Sequence, residues 1–400
     1  MAELQISEFL ASNGSGWADE DGDFSDWIEI RNTEIGVQSI GGYYLSDDVD
    51  DLKRWRIPDG VDLAVGEFLL VVASGKDRAV AGSELHSVFR LSKGGGSVFL
   101  VAPDGETIVD AIVGYPGQRV DVSYGRAAGG ELRFFPDPSP GALAVGSGVT
   151  GFVGDTAFDL DRGFYDEAIE VVITTATAGA RIYYTVDGSV PGEANGTLYA
   201  GPVPVVTTTT LRAVAVADEM VASNVDTQTY VFTADVLGQD GVGLPNPPRP
   251  TTSDWDYEMD PEIVGDMRFS ELEDDLKALR TLSVVLPVEG LWGRAGIYAN
   301  PTRQGVSWER ACSVEILDPG NPGDNYQQDG GIRMQGAGSR FRNVGKKSMR
   351  LVFRNAYGDG KLNYPLFGDA HPAAFDTIVL RGSYFDSFTV HTAGSGAGIG

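Results

Sequence analysis

The chain has 400 residues, room for about two to four domains, and 42% of them are hydrophobic, which excludes bulk disorder. A formal net charge of -27 argues against a general nucleic-acid binder, because such a surface repels phosphate backbones and anionic membranes. A single cysteine, Cys312, excludes any disulfide within the chain, and no apolar run approaches the ~20 residues of a membrane span.

The 53 Gly and 15 Tyr, with many Val and Thr, predict a mainly β chain with numerous turns. Residues 3–133 carry short strand candidates, among them "LQISEFLA", "DWIEIRN", "GYYLSD", "EFLLVVAS" and "SVFLVAPDG", separated by Gly and Asp turns. Their spacing predicts a first β-sandwich over 1–133. Ile28 and Ile30 are expected to face inward, alternating with Trp27, Glu29 and Arg31. "FFPDPSPGALAVGSG" at 134–148 reads as a Pro/Gly/Ser linker, placed at 134–151. Residues 152–233 alternate through "IEVVITTATAGARIYYTVDGSVP" and predict a second sandwich of immunoglobulin-like size. A further linker is expected over 234–256.

Two helix signals open the remaining segment, 257–400. In "MDPEIVGD", Asp260 is an N-cap candidate ahead of Pro261 at the first helical position. In "FSELEDDLKALR", Ser270 and Glu273 have capping-box spacing, and Phe269, Leu272, Leu276 and Leu279 share one helical face. Strands then return, so this segment is read as α+β, with strands that need partners the chain need not supply.

Two clusters could carry chemistry. From Ile332 to Lys361 there are eight basic residues and one acid, Asp359. "QGAGSR" places Gly336 and Gly338 where backbone N–H groups can approach phosphates, beside Ser339 and Arg340. Lys346, Lys347 and Arg350 follow, on a strand whose Met349, Leu351 and Phe353 face the core. Such cations suit the electrostatics of phosphoryl transfer; equally, they could balance acidic neighbours in the fold. The second cluster is "DEDGD". Asp19, Asp21 and Asp23 surround a glycine, and if the first strands alternate in direction, Asp47, Asp48 and Asp50 of "SDDVDD" share the same end. Together they could wrap Ca²⁺ or remain a solvated turn. His86, His371 and His391 lack metal-ligand spacing with another His or Cys, and Cys312 reads as a core residue.

Three resemblances follow. "SEFLASNGS", "DEDGDFSDWIEIRN", "GGYYLSDD", "FLLVVASGKDR" and "DVSYGR" resemble a lamin-tail-type domain, which implies an immunoglobulin-like fold. "ARIYYTVDGSVP" and "TTTLRAVAVADEMVASNV" are similar to a chitobiase/β-hexosaminidase C-terminal-type domain, an accessory sandwich of secreted enzymes. "GIYANPTRQGVSWERACSVEILDP", "GGIRMQGAGSR" and "KKSMRLVFRNAYGDGKLNYPLF" resemble the N-terminal part of the spore-coat CotH kinase family. That resemblance implies an atypical protein kinase using ATP and Mg²⁺, with the catalytic acids following the portion present here.

The expected fold class is therefore mainly β: two immunoglobulin-like sandwiches followed by an incomplete α+β CotH-like region. The expected setting is secreted or surface-associated, with a protein substrate or surface glycan as partner. No basic region with an apolar core opens the chain, so it is expected to be either cytosolic or, the preferred reading, trimmed from a longer protein; ending before the catalytic acids that the resemblance implies, this portion is expected to be inactive. A non-enzymatic adhesion or carbohydrate-contact protein, and an accessory region of a polysaccharide-degrading enzyme, stay open.

Overall fold

The computed structural model describes residues 4–240, 242, 258–336, 347–368 and 370–382. It is mainly β, with 37% strand against 8% helix, so the few short helices cannot form a layer of their own. It divides into two compact units, Met1–Phe152 with Glu219–Val221, and Val153–Asp218 with Ala222–Gly400.

The first unit is a sandwich of two sheets. One has six strands in the order Leu132–Phe135, Ser123–Arg126, Leu4–Leu10, Asp26–Asn32, Phe68–Ala73, Leu85–His86, and only the last pair is parallel. The other orders Ile108–Tyr115, Gly96–Val101, Tyr44–Ser46 and Trp55–Arg56. Between them lies an apolar core that includes Leu4, Ile6, Phe9, Ile28, Ile30, Leu45, Trp55, Val71, Val98 and Leu100.

Ile28 and Ile30 face this core, but of the expected outward set only Arg31 reaches water, and that in part. Trp27 and Glu29 are fully buried too. The Pro/Gly/Ser stretch after Phe135 reaches Glu29. Glu29 Oε2 accepts from Gly141 N at 2.6 Å and Glu8 Oε2 accepts from Ser139 Oγ at 2.6 Å. These carboxylates clasp the chain onto the sheet's outer face. A bulge at Ser7 sets the register that places Glu8 opposite both Glu29 and Gly125. A Cβ at Gly125 would lie 2.4 Å from Ser7 O, so only glycine permits this strand pairing.

In the second unit a five-stranded sheet orders Gly163–Phe164, Asp226–Val231, Thr209–Val216, Arg181–Thr185 and Thr197–Leu198. Short ladders join Thr156–Phe158 to Ile173–Thr175 and Ile169–Val171 to Val203–Val205. Val171, Ile173, Val203, Val205, Leu211, Ala213 and Tyr230 are buried there. A second five-stranded sheet, wholly antiparallel, runs Thr281–Val285, Arg310–Leu317, Tyr326–Met334, Met349–Val352, Thr377–Leu380. Its strands thus find partners within the chain. One face packs Cys312, Val314, Ile316, Ile332, Leu351 and Phe353 into a core. Burial pushes the Cys312 thiol up to about 12, as suits a core thiol.

Several alternate positions of that sheet are polar, and Glu315 and Ser283 meet the Asp226–Val231 strand. Glu315, fully buried, accepts from Thr229 N at 3.0 Å and from Thr229 Oγ1, and Thr229 Oγ1 also bonds Ser283 Oγ at 2.8 Å. Arg162 lies 3.6 Å from Glu315. Arg212, also buried, donates to Gly188 O at 2.9 Å and acts electrostatically on Asp329. Burial, relieved by that guanidinium, leaves the Asp329 carboxyl pushed up to about 6.

The helices differ in part from expectation. Pro261–Val264 begins as predicted, with Asp260 Oδ1 accepting from Glu262 N at 2.9 Å. The capping box at Ser270 does not form. Asp266 caps a 3-10 turn, Met267–Phe269, which ends at Ser270, so the helix starts only at Leu272 and stops at Ala278. Glu273 is drawn instead to Thr233 Oγ1, 2.8 Å away, and to Lys277. Leu279 falls beyond the helix and is exposed, as is Phe269.

Candidate functional site

The basic stretch falls on the Tyr326–Met334 and Met349–Val352 strands and their connection. Gly338, Ser339, Arg340, Arg342 and Lys346 lie outside the described residues. Met349, Leu351 and Phe353 turn toward the core as their alternation requires, and Arg350 turns to the opposite face.

Most of the described cations have a partner in the fold. Glu309, its side chain fully buried, receives Arg333 at 3.1 Å and Arg354 at 3.0 Å, and Tyr357 Oη adds a bond at 3.3 Å. Lys361 is 3.4 Å from Asp376. Lys347 is buried with its ammonium 5.9 Å from the Tyr298 ring centroid, and burial lowers its pKa. Sequence reasoning missed Glu309, which stands alone in "SWERACS"; its position across the sheet is what joins it to Arg333 and Arg354.

Arg350 differs. It stands directly across the ladder from Arg333, a like-charge arrangement that is unfavourable without a counter-ion. Glu309 offsets Arg333, whereas no ion pair reaches Arg350 among the described residues, and its buried Nε has no hydrogen-bond partner there. Arg333, Arg350, Met334, Gln335, Gly336, Gln304 and Gly305 line a polar cleft of about 260 Å³. Gly336, at φ 94°, opens the connection out of the strand in a conformation that favours glycine. The cleft lies just below the ~300–1,000 Å³ of pockets that enclose a whole ligand. It suits an anionic group better than an entire nucleotide. A larger cleft, about 440 Å³, runs beside Arg162, Lys277 and Asp318. There Lys277 pairs with Asp166, Asp318 with Arg280, and Arg162 with Gln228, leaving little charge to recruit an anion.

The second cluster belongs to the first unit. Asp19, Asp21 and Asp23 converge, and the Lys76 ammonium sits among them at 2.8, 2.6 and 2.9 Å. Burial alone would lower Lys76; the hydrogen bonds it donates to the three carboxylates outweigh it and raise its pKa. Lys76 and Arg78 hold the Asp21 carboxyl at about 2. The place a Ca²⁺ would take is thus held by a side-chain cation. Asp47 and Asp48 form a separate group. Asp47 pairs with Arg54 at 2.9 Å, and Asp48 closes its own turn by accepting from Asp50 N at 3.0 Å. The described metal-capable clusters contain neither.

Comparison with known families gives two matches. Residues 1–117 match the Lamin Tail Domain model. Residues 160–227 match the Chitobiase/beta-hexosaminidase C-terminal domain model. Both matches fit the β-sandwich character of the fold. They leave the Arg350 cleft outside their bounds. No curated protein is significantly similar to the chain. Among the described residues no helix is long and apolar enough to cross a membrane.

Proposed function

We propose that the chain is part of a multidomain surface or secreted protein whose two sandwich modules present an anion-binding, CotH-like region, with the Arg350 cleft gripping phosphate. The observation that carries this reading is the Arg333–Arg350 cross-strand pair, in which only Arg333 has a carboxylate partner among the described residues. A phosphate oxygen at the cleft supplies the missing counter-charge and satisfies the buried Nε of Arg350. ATP with Mg²⁺ is the source proposed for that phosphate, and a protein hydroxyl the acceptor. Mg²⁺ would be held by acids outside the cleft, since its lining contains no carboxylate.

Calorimetric titration with pyrophosphate, and with an unreactive ATP analogue plus Mg²⁺, tests the proposal. Arg350→Ala should weaken binding about ten- to a hundredfold, since one charge-assisted hydrogen bond contributes about 1.5–3 kcal/mol. Equal affinity in wild type and variant would refute a phosphate site at Arg350.

A second reading, a non-enzymatic adhesion or glycan-contact protein, draws support from the internal pairing of Arg333, Arg354 and Lys361. Under it neither anion binds, and the charged groups hold the sheet together.

A further inference from the structure

One group in the first unit is unexplained by either reading. His86 is fully buried on the parallel edge strand Leu85–His86. Its Nδ1 is 2.9 Å from Ser74 Oγ. Its Nε2 is buried and 3.0 Å from Glu84 Oε1, yet makes no hydrogen bond. Asp19, buried within the loop between the Leu4–Leu10 and Asp26–Asn32 strands, brings a carboxylate oxygen into the same small volume. One ligand atom each from Asp19, Glu84 and His86 lie within 4.8 Å of one another.

We propose that Asp19, Glu84 and His86 form a binding site for a divalent transition ion of the Zn²⁺ class.

The chemistry fits on three counts. First, one imidazole and two carboxylates suit borderline ions such as Zn²⁺ better than Ca²⁺, which takes oxygen ligands. Tetrahedral bonds of about 2.0–2.1 Å put ligand atoms about 3.3–3.4 Å apart, close to the His86–Glu84 separation. Second, the Ser74 hydroxyl can accept the Nδ1 proton and leave the Nε2 lone pair directed at the carboxylates. Such an outer partner fixes the tautomer and orientation of a metal-binding histidine. Third, the surroundings are short of positive charge. Asp19, Glu20, Asp21, Asp23 and Glu84 face only Lys76 and Arg78 as cationic side chains in their ion pairs, a net of about minus three by formal charge. Lys76 and the metal compete for Asp19, because the ammonium already bonds Asp19 Oδ2.

Equilibrium dialysis of the whole chain against Zn²⁺, followed by metal analysis, measures stoichiometry and affinity. Co²⁺ serves as the spectroscopic probe, since its visible absorption reports a coordination number below six. One Zn²⁺ per chain is expected, with a rise in the melting temperature of the first unit. Glu84→Gln should abolish binding. Ser74→Ala, a small change outside the ligand set, should weaken it about 10–100-fold. His86→Asn should remove the Co²⁺ band, and circular dichroism checks its fold. Lys76→Met should tighten binding. Absence of Zn²⁺ uptake at micromolar concentrations overturns the site. So does uptake undiminished in both Glu84→Gln and Ser74→Ala, or a Ca²⁺-induced stabilisation larger than that from Zn²⁺, which would assign the ion to the oxygen cluster of Asp19, Asp21 and Asp23.

Discussion

Glu8 and Glu29 face each other directly across neighbouring antiparallel strands, and both are buried. Two carboxylates so placed repel, and the arrangement survives because each is surrounded by donors. Ser123 Oγ, Ser139 N and Ser139 Oγ serve Glu8; Ser7 Oγ and Gly141 N serve Glu29. Burial, with the Glu8 charge adding to it, pushes the Glu29 carboxyl up to about 7, despite the hydrogen bonds that lower it.

A pH dependence with a definite sign follows. Unfolded, Glu29 releases its proton near its ordinary value of 4.5; folded, it keeps it to about 7. The folded state therefore binds more protons across that window, and this group's contribution to stability falls as pH rises from 4.5 to 7. Asp329 acts in the same direction in the second unit, up to about pH 6. Glu29→Gln should match wild type at pH 4.5 and be the more stable above pH 7, by at most about 3 kcal/mol. Thermal melts at both values measure it; a difference that does not vary with pH would sink the assignment.

The clasp also predicts where proteases cut. Glu8→Ala strands the donors of Ser139 and should cost about 1–3 kcal/mol. In limited proteolysis the wild-type chain should resist cleavage at 139–142, and the variant should be nicked there first. Equal resistance would show that the clasp does not hold the segment.

Glu309 organises the cation face of the second unit's larger antiparallel sheet. Glu309→Gln removes the counter-charge of Arg333 and Arg354, both partly exposed and able to rehydrate, so the expected cost is about 1–3 kcal/mol rather than that of a deeply buried pair. The same variant leaves Arg333 and Arg350 side by side unneutralised, so pyrophosphate should bind more tightly than to wild type. Unchanged or weaker anion affinity would separate Glu309 from the cleft.

Arg212 tests the polar seam between the two sheets of the second unit. Arg212→Met leaves Asp329 without its positive neighbour and should destabilise that unit by about 3–5 kcal/mol, and Asp329→Asn in the same chain should recover part of the loss. Denaturant melts of the single and double variants provide the measurement; additive losses would mean the two side chains do not interact.

Local alternation made much of the fold legible. Ile28 and Ile30, and Met349, Leu351 and Phe353, turn inward as a period of two requires, and Asp260–Pro261 starts a helix as its chemistry dictates. What covers the other face is set by distant chain, so the burial of Trp27 and Glu29 could not be read from their own strand. The capping box at Ser270 failed because Asp266 offers a competing cap four residues earlier. The charge cluster at Ile332–Lys361 was visible, but Glu309 lies outside it, just before the Arg310–Leu317 strand. His86 has no His or Cys within ligand spacing; its carboxylate neighbours come from the residue just before its own strand and from a loop that only the sheet order brings close.

The strand Ser123–Arg126 lies beyond the matched 1–117 segment, yet it pairs along the free side of Leu4–Leu10. A module transplanted as residues 1–117 would carry an open β-edge with a buried acid at its margin, inviting strand-to-strand association with other copies. The portable unit is therefore longer than the recognisable one, and reaches at least to the turn at Gly141.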